Sequence, residues 1–464
     1  MILPEPSSDL MSKIDAAIAI AKSANVPSPA PAAGSTRWPT GVTPTPEYEA
    51  ALDYVRNGAG NLFITGRAGT GKSTLLRCLA DAVAEDAVVV APTGLAAVNV
   101  GGQTIHSFFG LPPRLVKPED IKVSRKLGIM RKLKTIVIDE VSMVRSDLME
   151  GIDRCLRLSR KRPHDPFGGV RMVLFGDPHQ LPPVVQEGDM RSYLDDKFGG
   201  PFFFDSPGFK DSDARLIELT TVFRQTGGPF LEALNGLRDG NPSLATMELL
   251  NSRVQVLADI PERDKYVILT PTNAVAMELN QHFLARLPGK DWIAEAEITG
   301  TYADGAHPTE SSLLLKEGAK VIMLRNDADR RWVNGTLAKV SALKGDRVWV
   351  EIDGETHEVE PATWEAIRYD YDVKLDKIVE QVAGTFKQLP LRLAWALTIH
   401  KAQGLTLDRV YIDMRRGAFA HGQAYVALSR CRTLEGLAMA RGLTRRDVIF
   451  DQAATGYRGV FSKG

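Results

Sequence analysis

The run Gly66-Arg67-Ala68-Gly69-Thr70-Gly71-Lys72-Ser73-Thr74 combines glycines, one lysine and neighbouring hydroxyls. Glycines let backbone N–H groups turn inward around an anion-sized concavity. Lys72 would reach the β- and γ-phosphates of a nucleoside triphosphate, and the Ser73 hydroxyl would hold Mg2+. A second chemical element is the acid pair closing Ile136-Val137-Ile138-Asp139-Glu140. Asp139 can hold the same Mg2+, and Glu140 can take a proton from an attacking water. Alone this pair also reads as an acidic loop after a strand; behind a phosphate loop the catalytic reading gains. In Phe175-Gly176-Asp177-Pro178-His179-Gln180, Gln180 could sense the γ-phosphate and orient water, with His179 a structural neighbour. Phosphoryl transfer also gains from a cation aimed at its transition state. Arg224 and Arg430 lie in polar loops. Each is singly an ordinary surface arginine, and they become candidates if two domains face each other across the nucleotide.

Positioning these residues requires a strand before and a helix after the glycine loop. Leu62–Thr65 supplies the first, and Leu75-Leu76-Arg77-Cys78-Leu79-Ala80 the second. That order disfavours a chance glycine turn. The apolar runs Leu62–Thr65, Ala87–Ala91, Thr135–Ile138 and Met172–Phe175 lack period-two polar alternation, as parallel strands buried on both faces do. The expectation is a doubly wound α/β domain from about Pro46 to Arg215. A second one is split, with Tyr266–Leu269 and a helix from about Thr272 to Leu287 before the gap, and Leu391–Leu397 and Val410–Asp413 after it. Inside the gap, Lys320–Leu324, Thr336–Val340, Arg347–Ile352 and Thr356–Glu360 read as short strands joined by Asn-Gly, Lys-Gly-Asp and Asp-Gly turns. That is a small all-β insertion.

The chain has 464 residues, enough for two to four domains. No apolar run reaches the length of a membrane span. The three cysteines are far apart with no C-x-x-C, which argues against a zinc site and for a reducing, cytoplasmic setting. Charges balance at 57 of each sign, a total that can hide a local basic groove. Residues 1–45 carry a weak helical pattern and the Pro/Ala-rich stretch Val26–Pro31, open to disorder or docking.

The motifs Gly66–Thr74, Ala91-Pro92-Thr93-Gly94, Gly102–Phe108, Asp139-Glu140-Val141-Ser142-Met143, Gly176–Pro183, Val222–Gln225, Thr398-Ile399-His400-Lys401-Ala402-Gln403-Gly404 and Gln423–Arg430 occur together, in this order. The set resembles superfamily-one helicases, and within them the petite-integration-frequency (PIF-type) DNA helicases. Pro166-Phe167-Gly168-Gly169 is similar to that family's signature, as is Leu324-Arg325-Asn326 with Asn334-Gly335-Thr336. The resemblance runs from about Pro46 to Gly442. It implies an α/β protein with two RecA-like P-loop motor domains, ATP and Mg2+ between them, and single-stranded DNA or single-strand/duplex junctions across their tops. In that scheme 46–215 is the first motor domain, with a small wedge insertion near 110–134. The second comprises 216–293 and 390–464, interrupted at 294–389 by a barrel like that of Src-homology domains. Arg224 and Arg430 become the arginine fingers, and Gln403 and Gly404 join the nucleotide site. Family members move 5′ to 3′. We expect a monomer.

DNA contacts can be argued partly from residue types. Pro92-Thr93 follows one strand, and Thr398 with His400-Lys401 follows another. Hydroxyls, backbone amides and Lys401 suit phosphates, while His106 and one of Phe108 and Phe109 could stack on bases, the other being core. Trp395 reads as core. Two positions depart from the family pattern. Arg171 replaces a usual glutamine, and Tyr48 stands where the family has its adenine-reading glutamine. Tyr48 can stack on any base, which would bring GTP within about tenfold of ATP, or it can pack under a helix while backbone groups read the adenine. Other readings of the whole chain are a translocase that strips proteins with little unwinding, a nucleotide-switched binding module, and a small-molecule P-loop kinase. The last would not need a second α/β domain.

Overall fold

The computed structural model describes Trp38 and residues 42–57, 60–83, 86–185, 188–223, 228–415 and 417–461; Arg224 and the expected helix and Pro/Ala stretch near the N-terminus lie outside the described residues. Strands β1 (Leu62–Gly66), β2 (Ala87–Ala91), β3 (Gln103–Thr104), β4 (Thr135–Ile138), β5 (Arg171–Phe175) and β6 (Arg215–Leu219) form a six-stranded sheet ordered β3-β2-β4-β5-β1-β6. Every pairing in it is parallel. All residues of β1 and β4 are buried, because helices cover both faces of such a sheet and leave no position for a polar alternate. β6 pairs with β1 along its whole length, so the division expected at 215/216 falls inside a strand.

β7 (Val267–Thr270) begins a second parallel sheet that is completed only after a long excursion. The excursion holds β8 (Trp292–Glu295), β9 (Glu297–Gly300), β10 (Ser312–Leu315), β11 (Lys320–Met323), β12 (Leu337–Lys344), β13 (Arg347–Ile352), β14 (Glu355–Val359), β15 (Ala362–Asp372), β16 (Lys377–Gln388) and β17 (Leu391–Leu393). β18 (Ala396–Thr398), β19 (Val410–Ile412) and β20 (Leu437–Met439) then build the sheet β18-β7-β19-β20. The run Leu391–Leu397 is therefore not one strand. β17 closes a five-stranded antiparallel sheet, β14-β13-β12-β11-β17, and β18 enters the second parallel sheet; the apolar run satisfies burial in both.

Two segments cross between these layers. The hairpin β15/β16 reaches the first sheet, where the Tyr369 hydroxyl accepts the Val89 amide at 3.0 Å and Lys132 pairs with Asp376 at 2.7 Å. The C-terminal segment also returns to the first domain, although 390–464 was expected in the second. Ala454, Tyr457 and Phe461 join the core built by Phe63, Ile136, Ile138, Met172 and Leu174, and Phe461 stacks on Phe63 at 5.2 Å. Each such fully buried ring contributes about 2–3 kcal/mol of burial. Among the described residues no helix is long and apolar enough to cross a membrane.

Candidate functional site

β1 ends at Gly66, and Gly69 and Gly71 take left-handed φ angles of 85° and 78° before the helix Lys72–Ala82. A side chain at either glycine would be strained, which is why the turn can carry its amides toward a ligand. Ser73 and Thr74 lie in the first helical turn, next to its orphan donors. Lys72 Nζ donates to the carbonyls of Gly66 at 2.7 Å and Arg67 at 3.1 Å, so the ammonium sits inside the loop. Thr70 Oγ1 braces the turn on the Arg67 carbonyl at 2.9 Å, and the Phe223 amide holds the Gly69 carbonyl at 2.9 Å. The Ala68 amide donates to the Tyr425 hydroxyl at 3.0 Å, a bond that reaches across from the second domain.

Asp139 follows β4, its amide bound to the Val90 carbonyl at 3.0 Å and its Oδ1 accepting the Glu140 amide at 2.9 Å. Glu140 has a left-handed backbone, φ 48°, a conformation that costs a non-glycine residue about 1–2 kcal/mol. Burial raises the Asp139 carboxyl above its usual range. Burial, then repulsion from Asp139, raises Glu140 as well, against the pull of Lys72 and Arg430. The Ser73 hydroxyl and the Asp139 carboxylate are hard oxygen donors, the chemistry Mg2+ takes, so the residue types fit that ion beside a triphosphate.

Gln180 is buried after β5, with Nε2 donating to Asp177 Oδ2 at 3.1 Å. Its Oε1 accepts from Gln403 Nε2 at 3.2 Å, and the same Nε2 donates to Glu140 Oε2 at 3.1 Å. Burial works to raise the Asp177 carboxyl, but Arg238, Lys72, His179 and Gln180 outweigh it and hold it at about 2. Arg430, 1% exposed, directs Nε to the Val426 carbonyl and Nη2 to Ser429 Oγ, within electrostatic reach of Glu140. Gly404 follows Gln403 with φ 85°.

From Glu140 and Gln403 a cleft of about 480 Å3 opens between the two parallel sheets. Thr93 lines one wall and caps the helix Gly94–Asn99 through the Ala96 amide, with Pro92 half-buried behind it. Thr272 lines the other and caps the helix Asn273–Ala285. Thr398, His400 and Lys401 complete the lining. Thr398 is itself buried and accepts the Lys401 amide at 3.2 Å. His400 and Lys401 reach solvent but are ringed closely enough that burial lowers both pKa values.

Other expected residues are placed elsewhere. Phe108 and Phe109 are both core, edge-to-face at 4.9 Å, and Phe108 also meets Tyr369 at 5.9 Å. Neither offers a face to a base, because the hairpin covers the first and the domain core the second. His106 is half-buried on the same helix, and burial lowers its pKa. Trp395 stacks on Phe283 at 5.8 Å. Tyr48 is 2% exposed, with its hydroxyl against the carbonyls of Thr70 at 3.0 Å and Gly71 at 2.9 Å. It props the loop from behind instead of presenting its ring to a nucleotide, which corrects the base-stacking expectation. Arg171 Nη1 donates to the Val55 carbonyl at 2.7 Å, at the C-terminal end of the helix Pro46–Asn57, and its Nη2 to Thr135 Oγ1 at 3.2 Å. It ties that helix to β4, where a cation suits the helix end. Sequence reasoning missed Thr272, although Thr270-Pro271-Thr272-Asn273 after β7 repeats Ala91-Pro92-Thr93-Gly94 after β2. It also assigned no role to Tyr425 or Arg238.

Residues 46–234 match the family model described as PIF1-like helicase. The ATP-dependent DNA helicase Pif1 of Bdellovibrio bacteriovorus is 34% identical over 88% of this chain and 90% of its own length. The human ATP-dependent DNA helicase PIF1 is 34% identical over 84% of this chain, which spans only 60% of that longer protein. Among solved structures, Pif1 from a Bacteroides species in complex with ADP-AlF4 is 35% identical with a TM-score of 0.83. The Bacteroides Pif1 bound to ssDNA is 36% identical with a TM-score of 0.64, and a structure of two coordinating Pif1 helicases at forked duplex DNA is 34% identical, also at 0.64. Each of these structural matches covers 90% of this chain and 97% of the other. By relatives matched along most of both chains, by the family model over its first motor sheet and by the shared two-sheet architecture, this chain belongs to the PIF1-like helicases.

Proposed function

We propose that this protein is an ATP-dependent DNA helicase that moves 5′ to 3′ on single-stranded DNA and separates duplex at single-strand/duplex junctions, acting as a monomer in the cytoplasm. The observation that carries the reading is the shared cleft. Glu140 and Gln403, on the nucleotide side, line the same space as Thr93, Thr272, His400 and Lys401. Hydroxyls, amides and a lysine suit a phosphate backbone. A displacement of one wall against the other would then change both the hydrolytic geometry and the grip on DNA.

For the chemistry, the loop amides of Gly66–Thr74 and Lys72 bind the triphosphate, and Ser73 and Asp139 would hold Mg2+. When bound, the metal neutralises phosphate charge. Glu140 takes the proton of the attacking water as oxygen bonds to the γ-phosphorus and the bond to the ADP oxygen breaks. Gln180 orients that water. Arg430, and Arg224 from the chain just after Phe223, stabilise the charge on the transferring group. Tyr48 acts behind the loop, so backbone groups read the adenine. We read the first motor domain as extending through β6, with residues 110–134 as its wedge, and the sheet β14-β13-β12-β11-β17 as the Src-homology-like barrel of the second.

Unwinding of substrates with 5′ or 3′ single-stranded tails, with ATP and Mg2+, tests the proposal. Strand separation confined to 5′-tailed substrates is expected. Separation confined to 3′ tails would refute the direction. DNA-stimulated hydrolysis with no separation would favour a translocase that displaces proteins.

A further inference from the structure

The turn Asp177–Gln180 follows β5 of the first sheet, yet it is gripped from the second domain. Arg238 ends the helix Pro229–Arg238, whose Phe230, Ala233, Leu234 and Leu237 pack with Val267, Leu269 and Val410 of the second sheet. Arg238 is 3% exposed and places Nη2 3.2 Å from Asp177 Oδ1. Its carbonyl accepts from His179 Nδ1 at 3.0 Å, and the Pro178 carbonyl accepts from His421 Nε2 at 3.0 Å. Asp177 uses its other oxygen to accept from Gln180 Nε2 at 3.1 Å. An amide whose nitrogen is claimed by Asp177 must turn its Oε1 the opposite way. That Oε1 is the atom that meets Gln403, which in turn donates to Glu140.

Stability alone is a weak reason for such an ion pair. A buried pair returns little net free energy against its desolvation, whereas it does fix geometry. Arg238 Nε, moreover, finds no hydrogen-bond partner among the described residues, and Glu218 and Asp239 stand 3.9 Å from Nη1.

We infer that Arg238 is a positioning residue for hydrolysis. By fixing Asp177 it sets the orientation of Gln180 and through it the Gln403–Glu140 contact, so that turnover requires the second domain to be seated on the first domain's turn. This rests on the functional reading above.

The test measures ATP hydrolysis at saturating single-stranded DNA for Arg238→Met and Arg238→Lys, each in the parent and in a Gln180→Ala background. ATP KM, DNA Kd and thermal midpoints are measured alongside. Arg238→Met should lower kcat about tenfold while KM and Kd stay within about twofold, because the interaction matters in the transition state. Arg238→Lys, which keeps the charge, should recover about threefold of that loss, and neither variant should change kcat more than about twofold once Gln180 is gone. If Arg238→Met does not fold, Arg238→Lys carries the cycle, with about a threefold loss in the parent and none in Gln180→Ala. Equal losses in both backgrounds, or a loss that follows the thermal midpoint without recovery by lysine, would overturn the inference. A parent stimulated by DNA whose Arg238→Met variant keeps full turnover refutes this inference alone. A parent that DNA does not stimulate refutes the functional reading with it.

Discussion

Gln403 Nε2 donates to Glu140 Oε2 at 3.1 Å, joining the loop after β18 to the acid pair after β4. His400 and Lys401, in the same loop, line the cleft that opens from Glu140 and Gln403. One short segment of the second domain thus touches both the proposed general base and the proposed DNA path. Glu140→Gln keeps the amide contact within reach but removes the proton acceptor. Turnover should fall about a hundredfold or more, with nucleotide and DNA binding retained, as loss of a general base implies. Unchanged turnover in a single-turnover assay would take Glu140 out of the mechanism.

Tyr48→Phe removes the hydroxyl that holds the Thr70 and Gly71 carbonyls. The lost bond is worth about 1 kcal/mol, so the KM for ATP should rise about fivefold. The ratio of ATP to GTP kcat/KM should stay put in Tyr48→Phe and Tyr48→Gln alike. A sharpened ATP preference in Tyr48→Gln would show that the ring meets the base after all.

What the sequence could reveal depended on whether a feature was local. The phosphate loop and Asp139-Glu140 are read from adjacent residues, and their strands and helix follow from unbroken apolar runs. Burial of a single ring is not local: Tyr48, Phe108 and Phe109 look identical as letters whether they face a ligand or a core. The hairpin β15/β16 escaped for a different reason. Trp364 and Ala366 occupy even positions and Ile367, Tyr369 and Tyr371 odd ones, with the change falling where the pairing shifts register and Ala383 of β16 is left without a partner in β15. Period-two alternation is lost across such a shift. Tyr457 and Phe461 are spaced for one helical face, yet nothing near them says that the face belongs to the first domain.

DNA affinity should fall steeply with salt despite zero net charge. If Lys401 sits on a phosphate, Lys401→Ala should make the log–log salt slope shallower by about one unit. Titration of a labelled single strand at several salt concentrations measures it. An unaltered slope would place the lysine off the phosphate path.

Lys320 in β11 is 8% exposed and donates to the Tyr266 carbonyl. Burial pushes its pKa down to about 7 from 10.5, against the pull of Asp264. Between those values the unfolded chain holds a proton that the folded chain lacks, so stability from this group rises with pH, by about 1.4 kcal/mol per unit at most. Lys320→Met should flatten that rise and stabilise the protein at neutral pH. Denaturant midpoints at pH 7.5 and 9.5 check it, and an equal pH response in both proteins would contradict the buried-lysine account.

In the proposed reading, nucleotide and DNA act on one another through the cleft between the two sheets. The most direct measurement is the ATP hydrolysis rate with and without saturating single-stranded DNA, with Lys72→Ala as the blank. Stimulation by at least about tenfold, equivalent to about 1.4 kcal/mol of transition-state stabilisation, is expected, with no hydrolysis in the blank. Hydrolysis at the same rate with and without DNA would contradict it.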